Sequence, residues 1–468
     1  MKKYFLFILL GFLVIPAHSY SQDNYPFVPE KDPLTLKNLD QWNDWKFGLL
    51  MHWGAYSVWG IVESWSLCPE DEGWCARRKG GFQDYYSYKK DYEALPKSFN
   101  PTRFNPERWA KAAKDAGMKY MIFTTKHHDG FCMYDTRQTD YKITNPDYPF
   151  AKNPKADVTK AIFNAFRAEG LSVGAYFSKP DWHCENYWWP YFPPKSRNVN
   201  YEVAKYPERW QKYRDFSYNQ IDELTRNYGK VDILWLDGGW VRPDSTIDEK
   251  VEWERGLPKG QDVDMGRIAK MARANQPGII IVDRWVPGPY ENYHTPEQSI
   301  PSKPLPYPWE SCMTLGDSWS YIPQEHFKST EKVLENLVNI VSRGGNYLLN
   351  VAPGPDGEWH EEAYSKLAEI GAWMNVNSEG IYNTRPLSPY QETNNLRFTS
   401  SKSGKIIYCF VLDNATEIKI PKIKKDKVQK ITALGLQGKL SYKTVGDEFL
   451  VALPKDWKTR LRVVKLEF

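Results

Sequence analysis

The sequence predicts an α/β fold, a distorted (β/α)8, TIM-like barrel followed by a small antiparallel β-sandwich. Three observations predict it. From about residue 40 to 375, short apolar runs alternate with capped amphipathic stretches, the pattern of strands joined by crossover helices in a parallel sheet. No G-x-G-x-x-G opens a helix after the first strand, which removes the usual dinucleotide-binding, doubly wound alternative. After roughly residue 385 the helical pattern stops and short strands with turn residues take over.

Taken in order, the apolar runs are "KFGLLMHW", "KYMIFTTK", "LSVGAYFS", "VDILWLDG", "GIIIVDRW" and "NYLLNVAP". Each is continuous rather than alternating, as in strands covered on both faces. Between them, "NPERWAKAAKDAG" places Asn105 as N-cap, Pro106 at the first helical position and Gly117 as the stop. "DVTKAIFNAFRAEG" repeats the design with Asp157 and Gly170, and "DMGRIAKMARANQPG" and "TEKVLENLVNIVSRGG" supply two more helices. "LRFTSSKSGKIIYCFVLDNATEIKI", "QKITALGLQGKLSYKTVGDEFLVALP" and "TRLRVVKLEF" make up the sandwich. Residues 22–40, rich in Pro and charge, are expected to be an extended lead-in.

The first 21 residues read as a cleaved secretory signal. Lys2 and Lys3 head an apolar core, Tyr4 to Ile15, and "AHS" or "SYS" offers a small-residue cleavage site. That core is short for a spanning helix, and no other stretch is long and apolar enough to cross a bilayer. The expected organisation is therefore 1–21 signal, 22–384 catalytic barrel and 385–468 sandwich, in a secreted or periplasmic protein. Lys and Arg number 62 against 58 Asp and Glu, a balance that points to neither nucleic acid nor an anionic membrane surface. Six cysteines in 468 residues are too few and scattered for a disulfide scaffold, although Cys68 and Cys75 are near enough to pair. Aromatics are 15% of the chain, with 20 Trp and 30 Tyr. That suits a large aromatic core and equally a pocket where rings stack on the apolar faces of sugars.

Functional groups of a parallel barrel sit where strands end. Collected by that rule, His52-Trp53, Lys126-His127-His128-Asp129, Tyr176 with Ser178, Asp237, and Asp283-Arg284-Trp285 converge on one mouth. Asp237 stands out. It closes the run "VDILWLD", and Gly238-Gly239-Trp240 follow instead of a helix for it to cap; glycines there let a ligand approach the backbone closely.

These residues carry a resemblance. "KFGLLMHWGAYSVWG", "TTKHHDGFCMYDTR", "ILWLDGG", "IVDRW…TPE", "PWESCMTLGDSWSY" and "GGNYLLNVAPGPDG" occur in order over about residues 35–385. They resemble the successive signatures of the glycoside hydrolase family 29 α-L-fucosidases. The resemblance implies a retaining exo-glycosidase acting on fucosylated glycans, with no metal or organic cofactor. It makes Asp237 the nucleophile and His52, His127, His128, Tyr176, Trp235 and Arg284 the sugar-binding groups. The second carboxyl of a retaining pair lies about 5–5.5 Å from the first. Glu291, Glu297 and Glu310 are the candidates for that acid/base. Glu297, in "HTPE", is favoured, with its pKa expected to be raised by Asp237 and partial burial, and Glu310 is read as structural. The family's Glu-Trp pair appears with one extra residue as Glu63-Ser64-Trp65, so Glu63 and Trp65 are the expected sugar contacts and Glu70 or Glu72-Gly73-Trp74 the alternatives. This irregularity leaves L-galactose open beside L-fucose.

Two other classes compete. A metallohydrolase could use His52, His127, His128, His183 and Asp237. Against it, adjacent histidines on a strand end are expected to face opposite ways, and no i, i+4 pair as in H-E-x-x-H is present. A lectin on a degenerate scaffold would have lost a catalytic carboxyl, whereas Asp237 and Glu297 are both present. Linkage preference and oligomeric state are not legible.

Overall fold

Seven parallel strands curl around a buried interior in a computed structural model that describes residues 25–69, 84–422, 427–455, 457 and 461–468. They are β1 Phe47–Met51, β2 Tyr120–Lys126, β3 Ser172–Ser178, β4 Ile233–Asp237, β5 Ile280–Asp283, β6 Glu310–Thr314 and β7 Asn346–Asn350, in the spatial order β5-β4-β3-β2-β1-β7-β6. Almost every residue in them is buried, which is why their runs are continuous rather than alternating. The expected leader, Glu70, Glu72, Trp74 and a Cys68–Cys75 bridge lie outside the described residues.

Between the two edge strands, the segment from Tyr290 to Gln298 takes the place of an eighth strand. It first runs antiparallel to β5, with Asn292 N donating to Ile281 O, and then parallel to β6, with Glu310 N donating to His294 O and Cys312 N to Pro296 O. Pro296 and the left-handed Gln298, at φ +50°, keep this stretch from forming a regular ladder. The barrel is therefore closed, but irregularly at this one place.

The helices are α1 Pro33–Trp45, α2 Tyr85–Glu93, α3 Pro106–Asp115, α4 Val158–Ala168, α5 Pro207–Asn227, α6 Met265–Asn275, α7 Thr330–Ser342 and α8 Glu361–Asn377. Asn105 caps α3 by accepting from Arg108 N at 3.1 Å, and Asp157 caps α4 by accepting from Lys160 N at 3.2 Å. The lead-in is not extended throughout. Asp32 caps Thr35 N, Pro33 occupies the first turn, and Thr35, Leu39 and Trp42 are buried on one face of α1. Ahead of that helix, Tyr25 donates to Glu291 at 3.0 Å, Glu30 accepts from Asn292 and Arg273, and Phe27 stacks on Tyr307. The chain's early residues thus lace down the irregular eighth strand.

The carboxy-terminal strands are β8 Thr384–Pro386, β9 Leu396–Ser401, β10 Ile406–Val411, β11 Glu417–Pro421, β12 Lys430–Ala433, β13 Tyr442–Val445, β14 Glu448–Ala452 and β15 Arg462–Glu467. They form antiparallel sheets ordered β12-β15-β10-β9-β8 and β11-β14-β13. Phe398, Ile407, Val411, Ile418, Ile420, Phe449, Val451, Val464 and Leu466 fill one core between these sheets. Trp373 of α8 donates to Leu461 O at 3.0 Å, which ties this unit to the barrel.

Candidate active site

Asp237 is the last residue of β4, so its carboxylate emerges where the strand leaves the core. Gly238 then turns the chain at φ +92°, and a side chain there would meet the Pro180 ring at 2.2 Å. A Cβ on Gly239 would lie 3.0 Å from Arg284 O. Both glycines therefore serve close packing of protein segments, not the approach of a ligand expected from the sequence.

Tyr176 of β3, which is in register with Trp235, donates its hydroxyl to Asp237 Oδ2 at 2.7 Å. Arg284 follows β5 and donates from one terminal nitrogen to Asp237 Oδ1 at 3.1 Å; the other terminal nitrogen donates to Glu297. Burial alone would raise the pKa of Asp237. The Arg284 charge, His128, the Tyr176 hydroxyl and the Gly238 N–H outweigh it and hold the carboxyl well below the usual carboxylate range. One guanidinium spans two carboxylates, and both retain some access, with side chains 14% and 31% exposed. Arg284 and Glu297 are each followed by a non-glycine residue in the left-handed region, Trp285 at φ +62° and Gln298 at φ +50°. Such strain, about 1 kcal/mol or more per residue, concentrates at functional sites.

Three imidazoles form the opposite wall. His52, just beyond β1, and His127 and His128, just beyond β2, have ring centroids 5.6 Å and 4.2 Å apart in sequence order. The expectation that adjacent histidines face opposite ways fails here, because β2 has ended at Lys126 and the strand alternation no longer applies. Burial depresses the pKa of His52 and of His128 to about 4 and holds that of His127 well below the usual imidazole value. All three are therefore neutral at ordinary pH.

Glu63 is 3% exposed and one of its oxygens has no hydrogen-bond partner among the described residues. Burial, followed by the nearby charges of Glu297 and Asp237, pushes its pKa up to about 8, so it is a proton-bearing acid at neutral pH. Trp65 packs edge-on to His128 at 5.2 Å. Trp235 stacks beneath Tyr176 at 5.2 Å and is 2% exposed, so it forms the floor.

The other acidic candidates go elsewhere. Glu310 opens β6 at the far end of the parallel strands from Asp237, accepting from Tyr120 with Tyr293, Trp235 and Trp42 around it. Glu291 is buried against Tyr25 and His294, Asp283 is paired with Lys179, and Asp129 accepts from Tyr92 at 2.9 Å. His183 stacks on Tyr141 at 4.0 Å and faces Glu93, apart from the three imidazoles.

One nitrogen each of His127 and His128 and an oxygen of Asp237 lie within 4.8 Å of one another, a spacing that a metal ion could span. The donor set suits one poorly: the carboxylate already accepts from Tyr176 and from the Arg284 cation, which a second cation would have to face. Residues that the sequence reading missed include Trp319, whose ring centroid lies 5.2 Å from His52, and Trp240, 5.2 Å from His128. Trp319 sits inside the motif "PWESCMTLGDSWSY" and Trp240 directly follows "ILWLDGG", and in each case the aromatic itself was the available signal.

A family model described as Alpha-L-fucosidase matches residues 14–379. The chain belongs to the α-L-fucosidase family. It is similar to α-L-fucosidase isoenzyme 1 from Paenibacillus thiaminolyticus, at 29% identity and a TM-score of 0.74, covering 93% of this chain and 99% of that one. The Thermotoga maritima α-fucosidase, solved in complex with a mechanism-based inhibitor, gives 25% identity and a TM-score of 0.70 over 95% and 100%. The tissue α-L-fucosidase of Mus musculus is 27% identical over 89% of this chain and 88% of its own. Like these fucosidases, the chain is a glycoside hydrolase. Its barrel and carboxy-terminal β unit are those of the solved fucosidases, which accounts for the architecture expected from the sequence.

Proposed function

We propose that this fucosidase removes terminal α-linked L-fucose from glycans by a two-step, retaining mechanism, with residues 22–384 as the catalytic unit and 385–468 as the appended sandwich. The observation that carries the reading is the pair of carboxylates on the two ends of one guanidinium, Asp237 and Glu297 on Arg284. Sharing one guanidinium gathers both carboxylates at a single mouth, which supports a retaining pair, whose carboxyl groups stand about 5–5.5 Å apart.

In this reading Asp237, ionised by its surroundings, attacks the anomeric carbon. Glu297 donates a proton to the departing oxygen, and a glycosyl-enzyme ester forms at Asp237. Glu297 then takes a proton from water as that water opens the ester, and the released sugar has the configuration it had in the substrate. Asp237 suits the first role because its strand end is rigid and its proton affinity low; Glu297 suits the second because it faces the open mouth. Neutral imidazoles at His52, His127 and His128 can both donate to and accept from sugar hydroxyls. Glu63, kept protonated, adds a donor, and Trp65, Trp235 and Tyr176 supply apolar walls. Export through the amino-terminal 21 residues belongs to the same proposal. The deciding experiment offers aryl α-L-fucosides and α-L-galactosides to the enzyme and follows the first-formed anomer by NMR. Release of β-L-fucose would sink the retaining mechanism, and preference for the galactoside would change the substrate.

A further inference from the structure

Each of the three pocket imidazoles is held from behind by a different neutral partner. His52 Nδ1 lies 2.8 Å from Asn350 Oδ1, and Asn350 Nδ2 donates to Trp319 O at 2.7 Å. A carbonyl oxygen accepts only, so the amide's NH₂ end is fixed on Trp319 and its oxygen faces the ring. The hydrogen of neutral His52 therefore sits on Nδ1, and Nε2 is a bare acceptor. His128 Nδ1 lies 2.6 Å from Ser178 Oγ, whose single hydrogen is donated to Pro180 O at 2.6 Å. Ser178 must accept from the ring, so His128 also carries its hydrogen on Nδ1. Its bare Nε2 lies 3.7 Å from Asp237 Oδ2.

His127 is the exception. Ser64 Oγ lies 2.6 Å from His127 Nδ1 and already accepts from Asp129 N at 3.0 Å. Ser64 is fully buried, and His127 is its remaining hydrogen-bond partner among the described residues. Leaving a buried hydroxyl hydrogen unpaired costs about 1–3 kcal/mol, so Ser64 donates to Nδ1 and the ring hydrogen moves to Nε2.

We propose that Ser64, Ser178 and Asn350 are positioning residues that lock these imidazoles in unlike tautomers, so that the wall offers the sugar an acceptor at His52, a donor at His127 and an acceptor at His128. The proposal deepens the fucosidase reading and rests on it for the identity of the sugar. A wall of fixed polarity selects hydroxyls by whether they must donate or accept, which shape alone does not do. Depressed pKa values keep all three rings uncharged, the condition under which tautomers differ. Ser64, the residue that lengthens the family's Glu-Trp pair, acquires a task in this arrangement.

The test labels the histidines of the enzyme with ¹⁵N and records long-range ¹H–¹⁵N correlations at neutral pH, each ring being assigned by the signal that its His→Asn variant removes. The expected pattern is a protonated Nε2 on His127 and a protonated Nδ1 on His52 and His128. The same tautomer on all three, or any of them doubly protonated, overturns the proposal. Ser64→Ala should switch His127 to the other tautomer and lower kcat/KM on an aryl α-L-fucoside roughly tenfold, whereas Ser64→Thr, which keeps the hydroxyl, restores both. Lost activity with the His127 tautomer unchanged would count against a positioning role. The assigned pattern without turnover of any α-L-fucoside would support the lock and reject the fucosidase reading alone.

Discussion

Replacing Glu310 with glutamine isolates the cost of burying an acid in the barrel interior. The carboxyl is fully enclosed, and burial pushes its pKa from 4.5 to about 7 in spite of the hydrogen bond from Tyr120 and the neighbouring Tyr293, Trp235 and Trp42. The unfolded chain releases this proton from about pH 4.5, while the folded protein holds it until about pH 7. The neutral acid's contribution to stability is therefore complete below pH 4.5 and is lost as pH rises to about 7. At 1.36 kcal/mol per pH unit this amounts to about 3 kcal/mol. The amide of Glu310→Gln keeps the shape and cannot ionise, so the variant gains about 2.5 kcal/mol on the wild type between pH 5 and pH 8. For 468 residues at about 2.1 cal/mol/K each, that is about 2.5 °C in Tm. Differential scanning calorimetry of both proteins at the two pH values reads it directly, because every other titration cancels in the difference. A Tm difference that is the same at pH 5 and pH 8 would refute the reasoning. Activity should stay within a few-fold, since Glu310 lies at the opposite end of the strands from Asp237.

Asp237→Ala should lower kcat by about 10⁴-fold or more while circular dichroism and Tm remain near wild type, because it removes the proposed nucleophile from a pocket edge and not from the core. Glu297→Ala should lose about 10²–10⁴-fold on poor leaving groups and far less on dinitrophenyl fucoside, which needs little protonation; equal loss on both would assign the proton donor elsewhere. Tyr176→Phe removes the 2.7 Å hydrogen bond to Asp237. It should raise that carboxyl's pKa, move the acid limb of kcat/KM to higher pH, and cost about tenfold or more in rate. Dialysis against excess chelator should leave turnover unchanged, and activity that returned only with one added metal would revive the metallohydrolase alternative.

Much of the barrel was legible because each strand is wrapped on both faces and therefore spells a continuous apolar run. β6 escaped that rule. It begins with Glu310, whose carboxyl is buried among aromatic hydroxyl and indole groups, so "ESCMT" reads as polar although all five residues are covered. α1 was hidden by the charges and prolines around it, and only Thr35, Leu39 and Trp42 reveal its buried face. At the site, Asp237 and Arg284 were visible because each closes an apolar run. The orientation of His127 and His128 was not, since it depends on where β2 stops. Ser178 was visible as a strand-end residue, but its pairing with His128 was not, and Ser64 and Asn350 gave no signal: the hydrogen bonds of Ser64, Ser178 and Asn350 to the rings reach across 63, 50 and 298 residues of chain.

The seam between β5 and β6 divides the labour of the pocket. Asp237 stands on a strand hydrogen-bonded on both sides, whereas Glu297 rides on the irregular stretch that fills the seam. The carbon under attack occupies one place whatever glycan is attached, but the oxygen awaiting a proton belongs to the departing partner and shifts with its linkage. A fixed anvil and an adjustable hammer suit those two demands. Redesign of linkage preference should accordingly begin at the exposed positions of this stretch, Pro289, Gln298, Ser302, Lys303 and Pro306, and leave the buried residues 291–296 in place.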